Sequence, residues 1–412
     1  MLFGTPIKNE RCAVPRHFFI QVFCLLALAS SASLAYAGNK PLTLPEALSR
    51  AMAQNPSLQV FDLRLNGLEG RRITADQNPA LDAGLEVENF LGSDDLQGVD
   101  GAEYTLSLSS VLEFGGKRQA RVNLVDSRYG RVEAERRAET LDVLGKVTQR
   151  FVATLALQEK LALAAEAVAL AGATHEIVAR RAGRGAAPQA EVMRARAALT
   201  RSRIEQSRLR AAYESRKMAL ASLWGDTGPD FQILEGDLFQ FGSSANFDAL
   251  YQRVSDSPAI QIYASEQRIR EAEIQLTRSQ SESDIRWQVG IRRFGRRNRG
   301  EVQAALAARD EVRFRREDTL LRLHVRLYDA YHLRQQSIEA VAQIRSQMLP
   351  DLTEALNQTR EAYERGRYSY VEWTAAQREL LSARQALVDT ATTALLNQAL
   401  IEQLTAQPLA DR

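Results

Sequence analysis

Cysteine occurs at only two positions of this 412-residue chain, 12 and 24, and histidine at only four. Both cysteines fall in a segment built like a secretory signal. Lys8, Arg11 and Arg16 lead into an apolar run at 18–29, and Ala35-Tyr36-Ala37 supplies a small-x-small cleavage site. Cleavage after Ala37 is expected, leaving a mature chain without thiol, disulfide or cysteine-based metal site. No cysteine follows a small-residue box at the cleavage point, so no lipid anchor is expected. His175, His324 and His332 stand too far apart in sequence to suggest a ligand pair.

An excess of charge of one sign is missing too. The signal segment carries three basic residues and one acidic residue, so the net charge of +2 falls to zero on cleavage. A neutral secreted chain argues against a nucleic-acid partner. No later segment reads as the long uncharged apolar run of a membrane helix, so membrane contact is expected through β-strands. Catalytic constellations are absent as well: no nucleophile elbow, phosphate loop, spaced histidine cluster or carboxylate pair in a compact pocket. Gly115-Gly116-Lys117 lacks the preceding glycine and following Ser/Thr of a phosphate loop and reads as a strand-to-helix turn. Neither enzyme activity nor a cofactor is expected.

What the sequence does contain is one unit written twice. Ala47-Leu48 followed by Asn55-Pro56-Ser57-Leu58 returns 202 residues later as Ala249-Leu250 followed by Ser257-Pro258-Ala259-Ile260. The repeats divide the mature chain into 38–225 and 226–412. In the first, Leu81, Ala83, Leu85 and Val87 alternate with Asp82, Glu86 and Glu88. After a Gly/Asp-rich loop at 92–101, Tyr104, Leu106, Leu108 and Leu112 alternate with Thr105, Ser107 and Ser109. The period of two predicts a β-hairpin at 81–114, apolar on one side and polar on the other. Such a hairpin fits either a soluble core or an outer-membrane barrel with lipid outside and water inside.

A proline-free stretch rich in Ala, Leu, Glu and Arg follows at about 117–181, a rod of about 98 Å if helical. It breaks at 183–188 and returns to about 224, completing a helical hairpin at 117–224. The second copy repeats this as a helical hairpin at 300–405, broken at Arg365-Gly366-Arg367, with Pro350 expected to disturb its rod. Stripes this long must pack side by side, within the chain and between chains. The repeat offset drops from 202 to about 180 across the strands, since Phe114-Gly115-Gly116 matches Phe294-Gly295-Arg296. The second copy is therefore read as a single strand at 285–294, with Ile285, Trp287, Val289 and Ile291 on one face and its return strand deleted.

The order of Leu44-Pro45-Glu46-Ala47-Leu48, Asn55-Pro56, the hairpin and Phe114-Gly115-Gly116-Lys117-Arg118 resembles the TolC family of outer-membrane efflux proteins. Gly-Arg-Arg-Asn-Arg-Gly at 295–300, Tyr363-Glu364-Arg365-Gly366 and Ala375-Ala376-Gln377 agree, and the likeness spans residues 42–405. Among branches it is most similar to the heavy-metal, cobalt–zinc–cadmium type. The resemblance implies a mainly α protein with a small β part. In the family a homotrimer joins long antiparallel helical hairpins into an α-barrel, continued by a transmembrane β-barrel of four strands per subunit. A mixed belt near 226–258 and the C-terminus girdles the helices. The implied function is a passive export duct for metal cations or small toxic compounds, joined by a periplasmic adaptor to a proton-driven inner-membrane pump. By the residues alone, a soluble periplasmic coiled-coil adaptor or scaffold is the rival.

Candidate site residues follow from both readings. Glu191 and Glu372 each stand six residues after a turn glycine, where an acid favours a helix N-terminus and where the family places an acidic periplasmic gate. Arg184, Gly185, Arg365, Gly366 and Arg367 form the helix tips expected to meet the adaptor. Asp82, Glu86, Glu88, Arg286 and Arg292 are candidates for the barrel lumen.

Overall fold

The computed structural model describes residues 41–88, 103–243, 245–288, 291–294 and 298–407. The expected signal segment, the loop at 92–101, the 295–297 part of the second strand-to-helix junction and the Arg292 side chain lie outside the described residues.

The chain opens with a two-residue strand β1 (Leu42–Thr43) and helix α1 (Leu44–Gln54), which Thr43 caps by accepting from the Glu46 N–H at 3.4 Å. Asn55 then starts α2 (Pro56–Ala75), and proline at its first position gives up an N–H that has no helical partner there. The buried Asn55 amide also donates to Leu223 O at 2.7 Å, so the Asn-Pro motif seats α2 on the end of a later helix. Strands β2 (Asp82–Glu88) and β3 (Glu103–Leu112) lead into α3 (Lys117–Gly183), 67 residues without a break and about 100 Å long. Helix α4 (Gln189–Ala221) returns along it.

Strand β4 (Leu234–Glu235) pairs in parallel with β1, and α5 (Phe247–Ser255) and α6 (Pro258–Gln280) follow. Then come β5 (Asp284–Gln288), β6 (Ile291–Phe294) and α7 (Arg299–Gln343). A π-helical turn (Ile344–Met348) separates α7 from α8 (Leu349–Glu364), and α9 (Tyr370–Thr405) closes the chain. The π-turn ends two residues before Pro350. The proline has no N–H to give and its ring presses on the carbonyl four residues back, so the helix widens there as expected.

β2, β3, β5 and β6 form one antiparallel sheet in that order, with Val87 opposite Tyr104, Leu112 opposite Ile285 and Trp287 opposite Ile291. This corrects the reading of 285–294 as one strand with its return deleted. The segment folds back after Gln288, and Ile291–Phe294 is the fourth strand. The alternation concealed this for a geometric reason. Partners such as Ile285 and Arg293 differ by an even number of residues, so odd positions share a face whether the segment runs straight or turns back.

The helices lie side by side as a wall. α3 packs against α2 and α4 on one flank and α6 and α9 on the other, and α7 lies beyond α6 and α9. The order across the wall, α2–α3–α6–α7, matches the order across the sheet, because each of these helices adjoins β2, β3, β5 or β6 in sequence. A core of Leu42, Phe151, Leu155, Phe231, Leu234 and Leu238 fastens the belt to one face of α3. On the other side of the belt, buried Arg334 of α7 donates to Gly242 O. One expectation needs amending: α3 does contain an 18-residue stretch apolar enough by composition to cross a membrane, with mean hydropathy 1.4. It is part of the wall, where alanines let neighbouring helices approach closely.

Candidate functional site

Opposed residues of an antiparallel pair point to the same side, so the register fixes what each face of the sheet carries. Leu85, Leu106, Leu108 and Leu112 share one face with Ile285 and Trp287, while Asp82, Glu86, Glu88, Ser109, Arg286 and Gln288 share the other. Leu85 is 67% exposed and Leu106 77% exposed, so the apolar face is not covered by the chain's own helices. The expected lumen candidates Asp82, Glu86, Glu88 and Arg286 do fall on one face, all of them exposed. An apolar face this open points to a surrounding that is itself apolar.

Where the sheet meets the helices, Lys117 bridges the two copies. Its ammonium lies 2.5 Å from Asp284 Oδ2 and donates to Glu282 O at 2.9 Å, while Asp284 Oδ1 accepts from the Phe114 N–H at 3.1 Å. Both side chains are nearly buried. Gly115 makes room: a Cβ there would lie 2.6 Å from the Glu282 side chain. The Phe-Gly-Gly-Lys run therefore ties the exit of one hairpin to the start of the next.

At the far end of the wall, Gly185 and Gly366 turn the two helical hairpins at φ +72° and +76°, a conformation that a side chain disfavours. Arg184, Arg365 and Arg367 are exposed at these tips. Between the tips lies a compact cluster that sequence reasoning missed. Tyr363 stacks on Trp373 at 4.9 Å between ring centroids, packed with Val178, Ala195 and Tyr370. The Arg181 guanidinium lies 4.6 Å over the Tyr363 ring and donates to the carbonyls of Tyr363 and Glu364. Aromatic residues at hairpin ends and an arginine at the preceding helix C-terminus were the available signals, but only their meeting across the tips gives them a shared role.

The two glutamates differ in situation. Glu191 accepts a hydrogen bond from the Tyr363 hydroxyl at 3.0 Å. Burial, and then that hydrogen bond and the Glu191 charge, push the Tyr363 phenol up to about 12. Glu372 instead forms a capping box with Ser369, accepting from its N–H at 2.7 Å. The Ser369 N–H and then its hydroxyl hold the Glu372 carboxyl below the ordinary glutamate value.

Two separate concave grooves lie along α3: an upper one of about 560 Å³, floored by α3 between α2 and α6, and a lower one of about 400 Å³, floored by α3 between α4 and α9. Phe151 of α3 meets the belt. Glu135, in the upper groove, and Ala167, in the lower, each stand sixteen residues from it. At about 100° per residue that is about 160° round the helix, so grooves and belt occupy opposite faces of the wall. Glu372 lies across α9 from Thr374 and Leu381, which line the lower groove, so it points away from it. Among the described residues, no group of His, Asp or Glu is arranged to hold a metal ion.

Residues 47–226 match the family described as "Outer membrane efflux protein". The cobalt-zinc-cadmium resistance protein CzcC of Cupriavidus metallidurans is 24% identical over 362 residues, 84% of this chain and 85% of that one. Among solved structures, the outer membrane protein VceC of Vibrio cholerae covers 89% of this chain and 96% of its own at 19% identity, with a TM-score of 0.72. CusC, described through transmembrane channel formation, covers 90% of this chain and 95% of its own at 17% identity, also with a TM-score of 0.72. These structures share the fold described above.

Proposed function

We propose that this chain, an outer membrane efflux protein by its family match over residues 47–226, works as one third of a passive export duct. It sits in the outer membrane by its sheet, with the long helices in the periplasm, and its function is passage rather than catalysis. The soluble adaptor or scaffold alternative is set aside by that family match. As with the relative named for cobalt, zinc and cadmium resistance, the solutes proposed to leave through it are heavy metals or small toxic compounds.

One observation carries the reading. The sheet and the wall have their open edges on the same two sides, β2 with α2 and β6 with α7. The edge helices leave apolar residues open: Val60 and Leu63 on α2, at the rim of the upper groove, Ile204 on α4, and Leu321 and Val325 on α7, all about half exposed or more. An unpaired strand edge is not tolerated in lipid, and a lone four-stranded sheet cannot close. A single head-to-tail rotation brings β6 and α7 of one copy onto β2, α2 and α4 of the next and closes both layers together. Three copies give twelve strands and a tube of helices, with the belt outside and the grooves inside.

The exposed tips at Arg184, Gly185, Arg365, Gly366 and Arg367 are proposed to meet a periplasmic adaptor that leads to an energised inner-membrane pump. Of the two gate candidates, Glu191 is favoured, because it joins the hairpin tips through Tyr363 while Glu372 is occupied in capping α9. The tandem likeness of 38–225 and 226–412 is read as an internal duplication.

Leu321→Arg and Ile204→Glu test the assembly. Each places a charge on an edge stripe that the single subunit leaves open, so the helices should form while heat-resistant trimers disappear from the outer-membrane fraction. Trimers of unchanged stability in both variants would reject this closure.

A further inference from the structure

The inner grooves are lined by arginine out of proportion to the neutral chain. Together they carry eight arginines and three glutamates. All three glutamates are already engaged. Glu135 is held by Arg64 at 2.6 Å and Arg131 at 2.8 Å, Glu273 by Arg270 at 3.0 Å, and Glu205 by Arg208 at 2.7 Å. By contrast Arg71, Arg128, Arg194 and Arg201 have no carboxylate within ion-pairing distance among the described residues, and neither does Arg378 of the lower groove, which donates to Thr374 O at 3.1 Å. Arg71 and Arg128 line the upper groove, and Arg194 and Arg201 the lower. A guanidinium stays charged at any pH a cell reaches, and it presents flat paired donors suited to carboxylate and oxyanion oxygens.

We propose that this lumen selects small anions, carboxylates and oxyanions, and that a metal leaving through it travels as an anionic complex rather than as a bare cation. The proposal rests on the duct reading above, which turns the groove face inward. There, three copies set fifteen guanidinium groups without a carboxylate partner among the described residues, five from each, along one passage. A confined space lined by one sign of charge concentrates ions of the opposite sign about 10-fold or more and depletes the other. The lower groove is lined by small apolar residues such as Ala167, Ala171 and Ala195, and its one acidic lining residue, Glu205, is held by Arg208. Carboxylates do occur further out, at Asp82, Glu86 and Glu88 on the sheet, and they oppose the effect at the exit. The measurement must therefore be made on the whole channel.

The mature full-length protein is inserted into planar bilayers under a potassium chloride gradient, and the reversal potential is read, with citrate then added on the periplasmic side. The expected result is conductance steps with chloride more permeant than potassium, and partial current block by citrate. In R71Q/R128Q/R194Q/R201Q the chloride preference should fall several-fold and citrate block should vanish, with step size and heat-resistant trimers retained. Steps with potassium preferred, or a selectivity the quadruple variant leaves unchanged, would overturn the anion lumen and leave the duct standing. A complete absence of steps would overturn the duct, and this inference with it. If the quadruple variant fails to assemble, the pairs R71Q/R128Q and R194Q/R201Q carry the same test, each expected to lose part of the chloride preference.

Discussion

The Tyr363 hydroxyl donates to Glu191 Oε2 at 3.0 Å, joining the last turn of α8 to the first turn of α4 across the two hairpin tips. Tyr363 is 2% exposed, stacked on Trp373 and roofed by Arg181. Removing the hydroxyl alone leaves the stacking in place and takes one partner from a half-buried carboxylate. Tyr363→Phe should cost about 1 kcal/mol locally. Hydrogen exchange at 181–191 and 363–372 should quicken while exchange in the belt stays as it was.

Alkali should act on the same tie. Burial first, and then Glu191, raise the Tyr363 phenol from 10.0 to about 12. A group whose folded value is raised contributes stability that is complete below its unfolded value and is lost as pH rises through the folded one. Exchange protection at the tips should therefore fall between pH 10 and 12. Tyr363→Phe should abolish that step there, leaving any alkaline loss in the belt unaltered.

The capping box at the start of α9 predicts the opposite sense. The Ser369 N–H and hydroxyl lower the Glu372 carboxyl below 4.5, so its contribution is present above that pH and lost as pH falls through the lowered value. Ser369→Ala should fray the first turn of α9 at neutral pH, seen as faster proteolysis after residue 369. As pH falls through that lowered value the difference should narrow but persist, because the Ser369 hydroxyl of the wild type still accepts from the Glu372 N–H.

The Lys117–Asp284 pair fastens sheet to wall. Lys117→Met leaves Asp284 nearly buried beside no cation, which should destabilise by about 3–5 kcal/mol. Replacing both, as Lys117→Met with Asp284→Leu, should recover a large part of the loss, because no lone charge remains. Urea unfolding of the purified protein provides the comparison.

The short fourth strand should decide membrane insertion. Arg292→Pro removes a backbone donor from β6, a four-residue strand that pairs with β5 on one side and is left open on the other. The expected outcome is a helical protein by circular dichroism that no longer sediments with outer membranes. Normal insertion would show that β6 does not close the barrel.

Much of this molecule was legible in its sequence because its elements are long and strongly periodic. The proline-free run fixed α3 within a few residues, the alternation around Leu85 and Leu106 fixed the first hairpin, and the glycines at 185 and 366 fixed the two tips. Pro350 announced a disturbance in the second rod, which takes the form of a π-turn. These are local properties, set by period, by steric limits at each backbone position and by the loss of an N–H. They need no knowledge of what the segment packs against.

Tertiary structure decided the rest, because those features depend on residues far apart in sequence arriving together. The fourth strand was invisible since a turn-back over an even separation preserves the alternation, and only pairing with β5 distinguishes it. The Tyr363–Glu191 tie joins residues 172 positions apart, and the Lys117–Asp284 bridge residues 167 apart. Which arginines face the grooves was equally unreadable, because a helix in a wall has four differently occupied sides. Period alone marks the apolar ones, and only the belt's position on α3 separates the outer face from the inner.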